Sequence, residues 1–239
     1  IRAIHPSERV ELFVPSAVAH RKIRARLRED GVDLSRVILH TTEFSDVWIR
    51  DYGPTFVINR ALKRIAMVRW NFNAWGGKYE DQLRDGKIPD VMNRRLELPM
   101  FVPGVVLEGG SVDVNGRGTV ITTRSCLLNT NRNPSLSPEE IEELLKEYLG
   151  LVKIIWLNEG IVGDDTDGHI DDIARFVAPS TVVCAYESDT ADENYPALHE
   201  NYEILKKSTD QDGRPLTVVK LPMPARVASG DERFPATYT

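Results

Sequence analysis

Apolar residues along this chain fall in short runs bounded by turn residues, with longer stretches of helical spacing between them. Val10 to Val14 is the first run. An Arg- and Ala-rich stretch from Ser16 to Glu29 follows and reads as a helix with Ser16 as N-cap, and a second strand is predicted from Arg36 to Thr42. This is β-α-β punctuation. Beyond it a pattern repeats. Trp48-Ile49-Arg50-Asp51-Tyr52-Gly53-Pro54 leads into the run Thr55 to Ile58, a polar turn and the run Ile65 to Trp70. Val106 to Gly110, with Glu108 inside it, leads into Ser111 to Val114, the turn Asn115 to Gly118, and Thr119 to Thr122. Gly168-His169-Ile170-Asp171-Asp172 leads into Ile173 to Val177, the turn Ala178-Pro179-Ser180, and Thr181 to Tyr186. Each unit is a hairpin entered through an acidic residue. Helical stretches separate the units: Tyr79 to Leu96 in part, Ser137 to Leu149 with Ser137-Pro138-Glu139-Glu140 as a start signal, and Asn194 to Lys207. Asp51, Glu108 and Asp171 are spaced by 57 and 63 residues. That period argues for a ring of repeated α/β modules in which equivalent strand ends meet at a common axis. An ordinary α+β sandwich with coincidental acids is the alternative.

Composition narrows the function classes. With 239 residues, 41% hydrophobic and 28% charged, the chain can bury the core of one domain or of two small ones. Its formal charge is −6 and its basic residues are scattered rather than gathered beside aromatics, which excludes nucleic acid as the expected partner. No apolar run reaches the roughly 18 residues of a membrane span. Cys126 and Cys184 each sit in an apolar, strand-like run without a CxxC pair, so both read as buried small hydrophobes in a reducing compartment, which suggests the cytoplasm.

The densest polar run is Gly163 to Asp172. Calcium binding by an EF-hand fails, because Gly163 and Ala174 stand where acids are needed. The run feeds into an apolar strand, which predicts that His169 and Asp171 are carried to a buried position on one side of the chain. Asp167, His169 and Asp171 also have the Asp-x-His-x-Asp spacing of dimetal ureohydrolases, but the further carboxylates and second His-rich loop such a centre requires are not found. Asp51, with Trp48 just before it, pairs a carboxylate with an aromatic, as a grip on a planar cation would. Glu108 is followed by Gly109 and Gly110, glycines that let a ligand or another backbone approach. Asn129 to Pro134 reads as turn chemistry with no catalytic role.

Taken in order, Trp48 to Thr55, Asn71-Phe72-Asn73-Ala74-Trp75-Gly76-Gly77, Glu108-Gly109-Gly110-Ser111, Cys126 to Asn129 with Asn131 to Pro134, and Gly163 to Asp172 closely resemble the agmatine deiminase family. That family includes the bacterial peptidyl-arginine deiminases of the Porphyromonas type. The resemblance covers essentially the whole chain. It implies an α/β fold of the pentein type, a propeller of repeated ββαβ modules with pseudo-fivefold symmetry, here incomplete, with residues 1–239 forming part of a single domain. It implies hydrolysis of agmatine to N-carbamoylputrescine and ammonia, a step toward putrescine, without cofactor or metal; peptidyl arginine is the alternative substrate, and a guanidinium-binding protein lacking the nucleophile the alternative class. Carried over by position, Asp51 and Asp171 hold the guanidinium, Glu108 and His169 form the acid–base pair, and Trp48 walls the slot. The family's nucleophile lies in a His-Cys dipeptide that is not found among these residues, so it is expected beyond Thr239, and the chain is expected to be a fragment lacking both ends. A homo-oligomer is compatible with the resemblance.

Overall fold

The computed structural model describes residues 1–239, which gather into two compact units, Ile1–Val47 and Trp48–Thr239. In the first unit, β1 (Val10–Val14) and β2 (Val37–Thr41) pair in parallel, as a β-α-β crossover requires. The helix between them, α1 (Ala17–Glu29), starts where Ser16 accepts a hydrogen bond from the Ala19 amide. Leu27, Val32 and Val37 form this unit's small core.

The second unit is built from one motif used three times. A one-turn helix, α2 (Ile49–Tyr52), opens the first module. Strands β3 (Thr55–Asn59) and β4 (Arg64–Val68) form its hairpin. The single turn α3 (Ala74–Gly77), a 3-10 segment (Glu80–Lys87) and α4 (Ile88–Leu96) cross over to β5 (Met100–Phe101), which pairs in parallel with β4. The second module opens with a 3-10 turn (Gly109–Ser111) and has the hairpin β6 (Val112–Val114) and β7 (Thr119–Thr123). Helices α5 (Arg124–Leu127) and α6 (Pro138–Leu149) then lead to β8 (Lys153–Leu157), parallel to β7. The third opens with a 3-10 turn (Ile170–Asp172), pairs β9 (Ala174–Ala178) with β10 (Thr181–Tyr186), and returns through α7 (Tyr195–Lys207) to β11 (Thr217–Pro222), parallel to β10. A short hairpin, β12 (Ala228–Ser229) and β13 (Glu232–Arg233), follows.

Helices α6 and α7 each share a core with strands of two modules. On α6, a reciprocal capping box between Ser137 and Glu140 fixes the first turn, and Ile141 and Leu145 pack with Val68, Leu107, Val120 and Leu127. Leu198 and Leu205 of α7 pack with Ile155, Leu157, Ile173 and Val182. The repeated ββαβ unit expected from the sequence is therefore present, although only its hairpins and helices were legible; the parallel third strands β5, β8 and β11 were not read. Two expectations need correction. His169 and Asp171 do not ride on a strand, because the chain makes a 3-10 turn at Ile170–Asp172 before β9 begins at Ala174. Cys126 is not in a strand either: Thr123 accepts a hydrogen bond from the Cys126 amide and starts the turn of α5. No helix is long and apolar enough to cross a membrane.

Candidate active site

The entry turns of the three modules converge. Their meeting point is Gly110, where an added Cβ would lie 2.5 Å from His169 Nδ1, 2.7 Å from Asp51 Oδ1 and 2.8 Å from Asp171 Oδ2. Only a residue without a side chain leaves room for those three groups to share one space. Local hydrogen bonds build each arm. After Glu108 the chain tightens because the Ser111 amide and Oγ both donate to the Glu108 carbonyl, at 3.0 and 2.6 Å. Asp164 shapes the loop before His169: its Oδ2 accepts from the amides of Gly168 (2.8 Å) and His169 (3.2 Å), while Oδ1 accepts from Thr166. The burial of Asp51 (7% exposed), Glu108 (0%) and His169 (2%) means that these are not residues of a solvated face.

Asp51 is held from two directions. Its Oδ2 accepts from the indole Nε1 of Trp75 at 3.0 Å and its Oδ1 from the Gly110 amide at 2.9 Å. Trp75 reaches it through an unusual backbone: Ala74 and Trp75 have φ of 55° and 53°, followed by Gly76 at 80° and Gly77 at 81°. Consecutive left-handed residues other than glycine are costly and persist where the surroundings enforce them. Here Asn73 does so, accepting from the Gly76 amide and donating to the Asn131 carbonyl.

Deeper in, Arg132 connects the acids. Its Nε donates to Glu108 Oε1 at 2.7 Å, its Nη1 to Asp167 Oδ2 at 2.7 Å, and its Nη2 to the Thr166 carbonyl at 3.0 Å. Asp167 also accepts from Lys78 Nζ at 2.6 Å and from Asn131. The sequence reading assigned no role to Asn129–Pro134 and so missed Arg132. Trp75 was missed as a partner of Asp51, since nothing local in either stretch announces a contact 24 residues away.

Electrostatics divides the site. Burial, then the neighbouring Asp51 charge, pushes the Asp171 carboxyl up to about 6. Burial raises Asp51 to about 6 against the pull of the Trp75 and Gly110 hydrogen bonds. Asp172, partly buried beside Asp171, rises to about 7 through desolvation and then the Asp171 charge. Burial, helped by the Arg132 charge, lowers the His169 imidazole to about 3, so the ring is neutral. Burial also raises Glu108, with Arg132 opposing it. Asp167 is different: burial works against its ionisation, but the bonds from Lys78, Asn131 and Arg132 outweigh it and hold the carboxyl below its ordinary value. With its oxygens engaged in this way, Asp167 is not free to join His169 and Asp171 around two metals.

The remaining candidates sort simply. Trp48 stands 54% exposed at the start of α2. Burial pushes the Cys184 thiol up to about 12 and raises Cys126 as well, with Glu108 adding to the effect there. Neither is a ready thiolate. Cys126 is nonetheless more than a core residue, because its Sγ, a Glu108 oxygen and a His169 nitrogen all lie within 4.8 Å of one another.

Repeated ββαβ modules converging on paired carboxylates and a buried imidazole define an α/β protein of the pentein class. The chain belongs to the Porphyromonas-type peptidyl-arginine deiminase family, whose profile matches residues 1–239. It is 42% identical over 240 residues to the agmatine deiminase of Ectopseudomonas mendocina (strain ymp), covering 97% of this chain and 62% of that relative. Among solved structures it is similar to the C. jejuni agmatine deiminase with substrate bound (TM-score 0.86, 32% identity, 100% of this chain and 67% of that one). It is also similar to the agmatine deiminase of Enterococcus faecalis (TM-score 0.83, 36% identity, 98% and 64%). The chain thus spans about three fifths of the length of the curated relative it matches.

Proposed function

We propose that the protein is a deiminase that hydrolyses a guanidino group, with agmatine converted to N-carbamoylputrescine and ammonia. The observation that carries this reading is the pair Asp51 and Asp171, whose carboxylate oxygens converge on one point beside Gly110. Both are raised toward neutrality, and Asp171 has no protein cation closer than Arg175 at 4.0 Å. A planar guanidinium between them would satisfy both acids and be oriented by them. Trp48 is assigned to the wall of the slot.

The chemistry follows from the protonation states. A cysteine thiol passes its proton to neutral His169 as its sulfur attacks the guanidinium carbon, and the imidazolium so formed gives that proton to the departing ammonia. Water, deprotonated by the same imidazole, then releases the thiouronium as a carbamoyl product and regenerates the thiol. Glu108, with an oxygen within 4.8 Å of a His169 nitrogen, balances the charge His169 acquires. The raised values of Cys126 and Cys184 argue that the nucleophile is neither. We place it outside these residues, in the remainder of the full-length protein.

Agmatine is favoured over peptidyl arginine because the relative matched over 97% of this chain and the substrate-bound neighbour are agmatine deiminases. The test is ammonia release by the full-length protein from agmatine and from a peptidyl-arginine substrate, each with and without chelator. Chelator-resistant ammonia from agmatine is the expected result. Release from the peptide alone would move the assignment to peptidyl-arginine deiminase, and no release from either would leave a guanidinium-binding protein.

A further inference from the structure

Behind the space shared by Asp51, His169 and Asp171 lies a second set of donors. Glu108 commits Oε1 to Arg132, whereas its Oε2 has no hydrogen-bond partner, and neither has Nε2 of His169. Both residues are buried, at 0% and 2% exposure, and so is Cys126 at 0%. Unpartnered polar atoms at such depth are costly unless something bridges them.

The surrounding framework keeps the three side chains together. Thr123 Oγ1 accepts from the Cys126 amide and donates to the Gly168 carbonyl at 2.6 Å, which ties the α5 turn to the backbone beside His169. An added Cβ on Gly168 would come within 2.4 Å of Ser125 Oγ, so the two segments are in direct contact. Carboxylate, thiol and imidazole are together the ligand types of zinc and similar thiophilic divalent cations. Ligand atoms around a tetrahedral zinc stand about 3.5 Å apart, as bonds of about 2.0–2.3 Å dictate. The Glu108, Cys126 and His169 donors, within 4.8 Å of one another, would need only small inward rotations to reach that spacing.

We propose that Glu108, Cys126 and His169 form a binding site for a thiophilic divalent cation, and that its occupation inhibits the enzyme. The ion takes Glu108 Oε2, the Cys126 sulfur as thiolate and a His169 nitrogen. The thiol proton leaves to solvent, so the bound set of one dication, one carboxylate and one thiolate is neutral. Arg132 remains on Oε1 as the outer partner that fixes the carboxylate. The inhibitory consequence rests on reading Glu108 and His169 as the acid–base pair; binding itself does not.

Cobalt titration of the full-length protein separates the two. Co²⁺ is expected to produce a near-ultraviolet thiolate-to-metal band that saturates at one equivalent and is displaced by Zn²⁺. Cys126→Ser should abolish the band and Cys184→Ser should retain it. A band that survives Cys126→Ser, or no band at all, overturns the site. If Cys126→Ser fails to fold by circular dichroism, Glu108→Gln serves in its place, and an unchanged titration midpoint in that variant overturns the proposal equally. In turnover assays, Zn²⁺ should suppress ammonia release from agmatine in the unsubstituted protein and not in Cys126→Ser. Zinc inhibition that persists in Cys126→Ser defeats the regulatory claim. Absence of ammonia release without any metal defeats the deiminase reading while the cobalt result still decides the site.

Discussion

The inner and outer halves of the site handle negative charge in opposite ways. Inside, every acid has a fixed cation: Glu108 and Asp167 share Arg132, and Asp167 also has Lys78. Outside, Asp51, Asp171 and Asp172 crowd together, and burial and mutual repulsion raise them to about 6, 6 and 7. The inner acids are charge-paired by the protein's own cations, whereas the outer ones are under electrostatic tension that a cationic substrate would relieve. Charge that the protein leaves uncompensated is therefore a better pointer to the substrate than charge that it pairs.

The largest effect should come from the imidazole between the two halves. His169→Asn in the full-length protein is expected to lower kcat by about 10² to 10⁴-fold with little change in Tm, which ammonia-release kinetics and a melt would check together. Next comes the inner half. Arg132→Met leaves Glu108 buried without its partner and should cost roughly 3–5 kcal/mol of stability, read from denaturant titration. In the outer half the sign reverses. Asp171→Asn should raise KM for agmatine about tenfold to a hundredfold, as loss of a charge-assisted hydrogen bond implies, while raising the Tm of the ligand-free protein. A drop in that Tm would break the contrast between the halves.

A fourth prediction uses pH. The folded-state values of Asp51 and Asp171 lie above the ordinary 3.8, so the folded protein binds protons more tightly than the unfolded chain. Their contribution to stability is fully present below about pH 4 and is lost as pH rises through about 6. Binding of a guanidinium pulls both acids back down. Calorimetry of agmatine binding at about pH 6, compared across buffers of different ionisation enthalpy, should accordingly show proton release. The smallest effect belongs to Trp75→Phe, which removes one of two hydrogen bonds to Asp51 and should cost about 1 kcal/mol of ligand binding by the same calorimetry.

The outer half, with His169 between the halves and Glu108 of the inner one, was the part legible in the sequence. Asp51, Glu108, His169 and Asp171 each stand at the entry to an apolar run, and that position survives folding even where the local geometry was misjudged, as at the Ile170–Asp172 turn. The partners that hold the inner half together were not legible. Arg132 lies in a loop whose Asn and Pro content is explained by turn chemistry alone, and its partners Glu108 and Asp167 are 24 and 35 residues away. Cys126 was read correctly as buried, yet of its neighbours Glu108 stands at the far entry of its own module and His169 comes from the next, and no local pattern encodes them. Of the third strands, β5 has only two residues, whereas β8 (Lys153–Leu157) and β11 (Thr217–Pro222) are β-branched runs that stand outside the hairpin repeat.

The convergence on Gly110 has a mechanical side. Asp51 enters from the module of β3, Glu108 from that of β6, and His169 with Asp171 from that of β9. A guanidinium seated between Asp51 and Asp171 would act as a removable crosslink between segments 120 residues apart in the chain. Local opening of either flanking module would then require breaking the crosslink first. Amide exchange in β3 and β9 should slow in step as agmatine is added, so that the substrate reports on the cohesion of the ring as much as on its own chemistry.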